Sequence, residues 1–208
     1  METITSETYR GYPIDTGMEN NFHCNTKTLD QYIERHEYML KNHSKILIVR
    51  LDIRTPSKST FPLREKMSRI IETTKRRLES KNKGKNKIDM HHVWTAEQKT
   101  ADGKEHVHLS LLVNANAIQN GYRLMSVFED AVLRHIPRAK KGLVHFSESN
   151  GKTGILIDRK APDFEQKSND AIYAASYLAK TNTKEHKDKW ARFSSAFRLA
   201  LVLLSSTI

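Results

Sequence analysis

Cysteine is almost missing from this chain: Cys24 is the sole one in 208 residues. An intrachain disulfide is therefore excluded, and so is a cysteine-based metal cage. A reducing cytoplasm is the simplest compartment for such a sequence, and Cys24 reads as a passenger rather than a nucleophile. Long apolar runs are also lacking. The C-terminal "FRLALVLL" is too short to span a bilayer and contains Arg198, and "METITSETYRGY" has no basic-then-apolar leader pattern, so no membrane association is expected. Acidic residues are in the minority, 24 against 35 Lys and Arg, for a net charge of +11. A basic surface concentrates polyanions and adds a salt-sensitive attraction to phosphates; an inert basic surface is the plain alternative.

The apolar residues are patterned. Residues 1–25 are polar with few anchors, and "TLDQYIERHEYML" from Thr28 has helical spacing. "KILIVRLDIRTP", Lys45 to Pro56, alternates as a strand and is stopped by Thr-Pro, with Arg50, Asp52 and Arg54 on its polar side. "FPLREKMSRIIETTKRRLES" is an amphipathic helix. The loop carrying Lys81, Lys83, Lys85 and Lys87 is either a phosphate clamp or a solvated linker. "IDMHHVWTAEQ" and "EHVHLSLLVN" form two strands with Asp102-Gly103 as a hairpin turn between them. "LMSVFEDAVLRHI" is a helix, "GLVHFSES" and "GILIDR" are strands joined at "NGKT", and "SNDAIYAASYLAKTNTK" is a last helix capped by Ser168 or Asn169. This order predicts an α+β fold of the split ferredoxin-like kind: a central antiparallel sheet, helices on one face, the other face open. The expected division is an N-terminal extension over 1–44, the main domain over 45–184 and a helical tail over 185–208.

Two histidines interrupt an apolar strand. Val107, Leu109, Leu111 and Val113 alternate with His106, His108 and Ser110, so both imidazoles share one polar face. If Asp102-Gly103 is a two-residue turn, Glu97 stands opposite His108 and diagonal to His106, with facing Cβ atoms about 4.5–5.5 Å apart. Two imidazoles and a carboxylate then suit a divalent ion, Mg²⁺ or Mn²⁺, with positions left for water and substrate. Further on, Tyr173, Tyr177, Lys180 and Lys184 fall on one helical stripe. Tyrosine beside lysine suits a phenolate nucleophile, because a nearby cation favours the charged form.

His106-Val107-His108 resembles the HUH motif (histidine, bulky hydrophobic residue, histidine) of rolling-circle replication initiators, relaxases and related transposases. "SYLAK" resembles their Tyr-x-x-Lys motif, and "ILIVRLDIRTP" is similar to the strand that precedes both. The run "W-x-x-E … HVHLSLLVN … GLVHF … SYLAKTNTK" looks specifically like the inovirus-type replication initiators. The resemblance covers about residues 45 to 184. It implies site-specific nicking and joining of single-stranded origin DNA through a covalent 5′-phosphotyrosine. His106, His108 and Glu97 would hold the metal, Tyr177 would be the nucleophile and Lys180 its assistant. Tyr173 either alternates with Tyr177 or merely packs. The expected setting is a bacterial host's cytoplasm, with a host helicase and polymerase as partners, since no Walker A motif is present. Arg50, Arg54, Lys184 and the lysines of the 81–87 loop are the expected DNA contacts. A transposase or relaxase with the same chemistry and a non-catalytic basic nucleic-acid-binding module are the alternatives.

Overall fold

The computed structural model describes residues 2–17, 22–56, 63–84, 86–98, 105–146 and 153–181. The Asp102-Gly103 turn, most of "NGKT", Lys85, Lys184 and the 185–208 tail lie outside them. In chain order the elements are the short strands β1 (Thr3–Ile4), β2 (Thr8–Tyr9), β3 (Tyr12–Pro13) and β4 (Cys24–Asn25), then α1 (Thr26–Asn42), β5 (Lys45–Arg54), α2 (Arg64–Lys81), β6 (Met90–Gln98), β7 (Glu105–Asn114), α3 (Gly121–His135), β8 (Val144–Phe146), β9 (Ile155–Asp158) and α4 (Phe164–Ser176). The fold is α+β, with an antiparallel sheet and four helices. The sheet runs β6-β7-β5-β8, and β9 pairs with the earlier half of β5, so β8 and β9 share one edge. Between them Gly121, at the start of α3, comes so close to the chain that a Cβ there would meet the Thr153 carbonyl oxygen at 2.3 Å.

Strand alternation builds two cores. On one face Leu47, Val49, Leu51 and Ile53 of β5 and Val107, Leu109, Leu111 and Val113 of β7 pack under α2 and α3, with Met67, Ile70, Leu78 and Phe128 filling the layer. The second face was expected to be open, and it is not. Ile46, Ile48, Leu112 and Ile157 pack against Leu29, Ile33 and Met39 of α1 and Ala171, Ile172 and Ala175 of α4. The cause lies in the sequence: this face is apolar for its first rows, and exposed apolar rows are covered because water is expelled from them. Asn25 starts α1 as an N-cap, its side chain accepting from Thr28 N at 2.9 Å, a contact worth about 1 kcal/mol. The polar-looking N-terminus also contributes anchors, since Ile14 and Cys24 are buried.

Two local expectations are corrected. Helix α4 begins at Phe164, so Ser168 is not its cap; it is buried within the helix and bonded to His36 at 2.7 Å. The helix ends at Ser176 and gives way to a single 3₁₀ turn, Tyr177–Ala179. The stripe from Tyr173 to Lys180 is therefore broken.

Candidate functional site

The second face changes character along its strands. Register places Ile48, Leu112 and His91 in one row, then Arg50, Ser110 and Val93, then Asp52, His108 and Thr95, then Arg54, His106 and Glu97. His145 of β8 stands opposite Asp52 and extends the third row. The apolar rows lie beneath α1 and α4, and the chemistry is confined to the far end. Glu97 faces His106, not His108 as a two-residue turn would dictate. The shift is two residues, which keeps every side chain on its face. Glu97 thus remains beside both histidines.

His108 is the centre of the group. Its Nδ1 lies 2.5 Å from Asp52 Oδ1 and its Nε2 lies 3.0 Å from Glu97 Oε2. Both His108 and Glu97 are buried. Burial alone would lower the imidazole's proton affinity, but bonds to Asp52 and Glu97 outweigh it and hold the pKa above its ordinary value. Asp52 was visible on the polar face without a partner assigned to it; strand pairing supplies one.

Tyr177 closes over this group. Its ring meets His108 edge-on, with centroids 5.2 Å apart. Arg50 Cζ lies 5.5 Å and Lys180 Nζ 5.1 Å from the centre of the same ring. Lys180 does not bring the phenol's pKa down. Burial first, then the charges of Glu97 and Asp52, hold it above its ordinary value against the opposing effect of Arg50. Lys180 itself is ion-paired with Asp15 at 2.7 Å and rests on the Phe22 ring at 4.2 Å.

The 3₁₀ turn is fixed by the N-terminal segment. Asp15 N donates to Ser176 Oγ at 2.8 Å, Thr181 N donates to the His23 carbonyl at 2.8 Å, and Cys24 bridges to Lys180. None of these contacts has a sequence signature, since each joins residues about 160 positions apart.

The remaining candidates are dispersed. Tyr173 is half exposed on α4, and among the described residues no contact ties it to His108. Arg54 is exposed beside His106. The Lys81–Lys87 loop adjoins the opposite end of the sheet, where Asn114 Nδ2 donates to the Lys87 carbonyl at 3.0 Å. Asn114 is six residues from His108 along β7, about 20 Å.

Among the described residues no three His, Cys, Asp or Glu side chains are gathered as a metal-holding group. The donor types nevertheless fit a hard divalent ion. The 3.0 Å between Glu97 Oε2 and His108 Nε2 is a hydrogen-bond distance. It is also about the spacing of two adjacent ligands on one ion with bonds of ~2.1 Å. His108 has its second nitrogen held by a carboxylate, as metal-binding histidines commonly do. His106 stands opposite Glu97 in register and is the next donor of the set.

This is an α+β protein with a histidine held between two carboxylates beneath a tyrosine. The chain belongs to the YagK/YfjJ C-terminal domain family, which matches residues 7–196. No curated protein and no solved structure matches it.

Proposed function

We propose that this protein nicks and rejoins single-stranded DNA through a covalent tyrosine–5′-phosphate, as the likeness to inovirus-type initiators implies, and so starts rolling-circle replication of a phage or mobile element. The observation that carries the reading is the packing of Tyr177 on His108, itself held by Asp52 and Glu97. The strand order supports it, since β6-β7-β5-β8 is the order of a split ferredoxin-like sheet. The surplus of 35 basic over 24 acidic residues suits a DNA substrate.

In the reaction the Tyr177 Oη–P bond forms and the P–O3′ bond breaks. The phenol loses its proton and the departing 3′ oxygen takes one up. Glu97, His108 and His106 would hold Mg²⁺ or Mn²⁺, which when bound polarises the phosphate. Asp52 orients His108 through Nδ1. Arg50, over the Tyr177 ring, favours the phenolate. Lys180, held by Asp15, keeps a cation beside the ring.

Incubation with single-stranded origin DNA and Mn²⁺ is expected to give a covalent protein–DNA band on a denaturing gel, and Tyr177→Phe is expected to lose it. Identical outcomes for the two proteins would remove Tyr177 from the role. A second reading, a non-catalytic nucleic-acid-binding module, is favoured by one observation: both ring nitrogens of His108 are already engaged by carboxylate oxygens. Binding without cleavage under every divalent ion would select it.

A further inference from the structure

The basic residues are unevenly neutralised. Lys45, Arg64, Arg77, Lys167 and Lys180 each have an acidic partner. The segment leading into β8 is different. Arg138, Lys140 and Lys141 are all exposed there, and so is Arg54 beside it. None of the four forms an ion pair among the described residues. Glu129 of α3 accepts from a backbone donor of this segment, Gly142 N at 2.8 Å.

Topology brings these cations to the reactive end of the sheet. Arg54 N donates to the Leu143 carbonyl at 3.2 Å, and Val144 pairs with Ile53. One residue further, His145 is exposed and stands opposite Asp52, the residue bonded to His108. At the end of β8, Phe146 packs edge-on against Tyr122 with ring centroids 5.6 Å apart, and Tyr122 is 59% exposed. β8 itself, Val144 to Phe146, spans roughly 7 Å at about 3.3 Å per residue. Unneutralised cations followed by an exposed aromatic ring form the recognition pattern of single-stranded nucleic acid: the cations track phosphates, and the ring offers a face to a base.

We infer that the β8 edge is a track that single-stranded DNA crosses on its way to Tyr177, its phosphates on Arg138, Lys140 and Lys141 at the reactive end and a base on Tyr122, which lies on the α2/α3 side of that edge. The inference rests on the nicking reading for its direction, but its test does not need cleavage. The strand's phosphates meet the cationic loop and a base meets Tyr122.

The test is fluorescence anisotropy with a labelled single-stranded 20-mer across a salt series, using the full chain. Lys140→Ala/Lys141→Ala is expected to weaken binding about tenfold near 0.1 M salt. The logarithmic salt slope should fall by about 1.4, from ~0.7 per lost phosphate contact. Tyr122→Ala is expected to weaken binding about fivefold or more and leave the slope unchanged, because stacking releases no counterions. Lys41→Ala/Lys160→Ala, exposed beyond the Lys45 end of β5, should match wild type. Wild-type affinity and slope in the Lys140/Lys141 variant, or a loss appearing only in the Lys41/Lys160 variant, would overturn the inference. Adduct formation measured alongside separates the two claims: absence of any adduct sinks the nicking reading while the affinity and slope still judge the track.

Discussion

At the scale of single residues, the account turns on His108. An imidazole bonded through both nitrogens has one orientation, and Asp52 fixes it from β5 while Glu97 fixes it from β6. Asp52→Asn keeps the shape but loses the charge-assisted bond. Partners of this kind are worth 10–100-fold in metal affinity or activity. Asp52→Asn is therefore expected to slow adduct formation by about that factor, with the loss partly recovered at high Mn²⁺. A rate equal to wild type at limiting Mn²⁺ would show that Asp52 does not orient the histidine. Much of this was legible. The period of two put His106, His108 and Glu97 on one face, and parity survives a register error of two residues. The partner of His108 Nδ1 was not legible, because it depends on which strand lies on β7's other side.

At the scale of elements, the 3₁₀ turn carrying Tyr177 is held from the N-terminal segment. Asp15 grips Lys180 through its carboxylate and Ser176 through its backbone. The two grips separate by mutation. Asp15→Asn loses the ion pair and keeps the backbone bond, whereas Ser176→Ala does the reverse. Each is expected to lower the single-turnover rate about tenfold at saturating DNA while leaving DNA affinity within about twofold. A rate loss accompanied by an equal loss of affinity would mean that the segment binds DNA rather than placing the tyrosine. Helical periodicity could not reveal this arrangement. It extended α4 to Lys184, because "SYLAK" has good helix formers and nothing local stops it. The stop comes from Cys24 and His23, which capture Lys180 and Thr181 across the fold. The same distance effect hid the covering of the second face by α1 and α4, although each helix was readable by itself.

At the scale of the whole molecule, buried histidines tie stability to pH. His36 is fully buried, and burial pushes its pKa down from 6.5 to about 4. His92 is also pushed to about 4, by burial first and then by the neighbouring charges of Arg35, His91 and Lys75. Between pH 6.5 and 4 the unfolded chain binds these protons and the folded chain does not. Stability is therefore full above 6.5 and falls as pH drops toward 4, by roughly 3 kcal/mol for His36 alone. Urea unfolding at pH 7, 5.5 and 4 should show the decline. His36→Leu combined with Ser168→Ala should make it shallower by about one proton; an unchanged slope in that variant would contradict a neutral buried His36. Among the described residues no helix is long and apolar enough to cross a membrane.

The most direct measurement of the central claim is mass mapping of a DNA–protein adduct after tryptic digestion. The account predicts a nucleotide remnant on the peptide from Ser168 to Lys180, with fragment ions placing it on Tyr177 rather than Tyr173. A remnant on Tyr173 or on any other residue, or no adduct with origin DNA under any divalent ion, would contradict it.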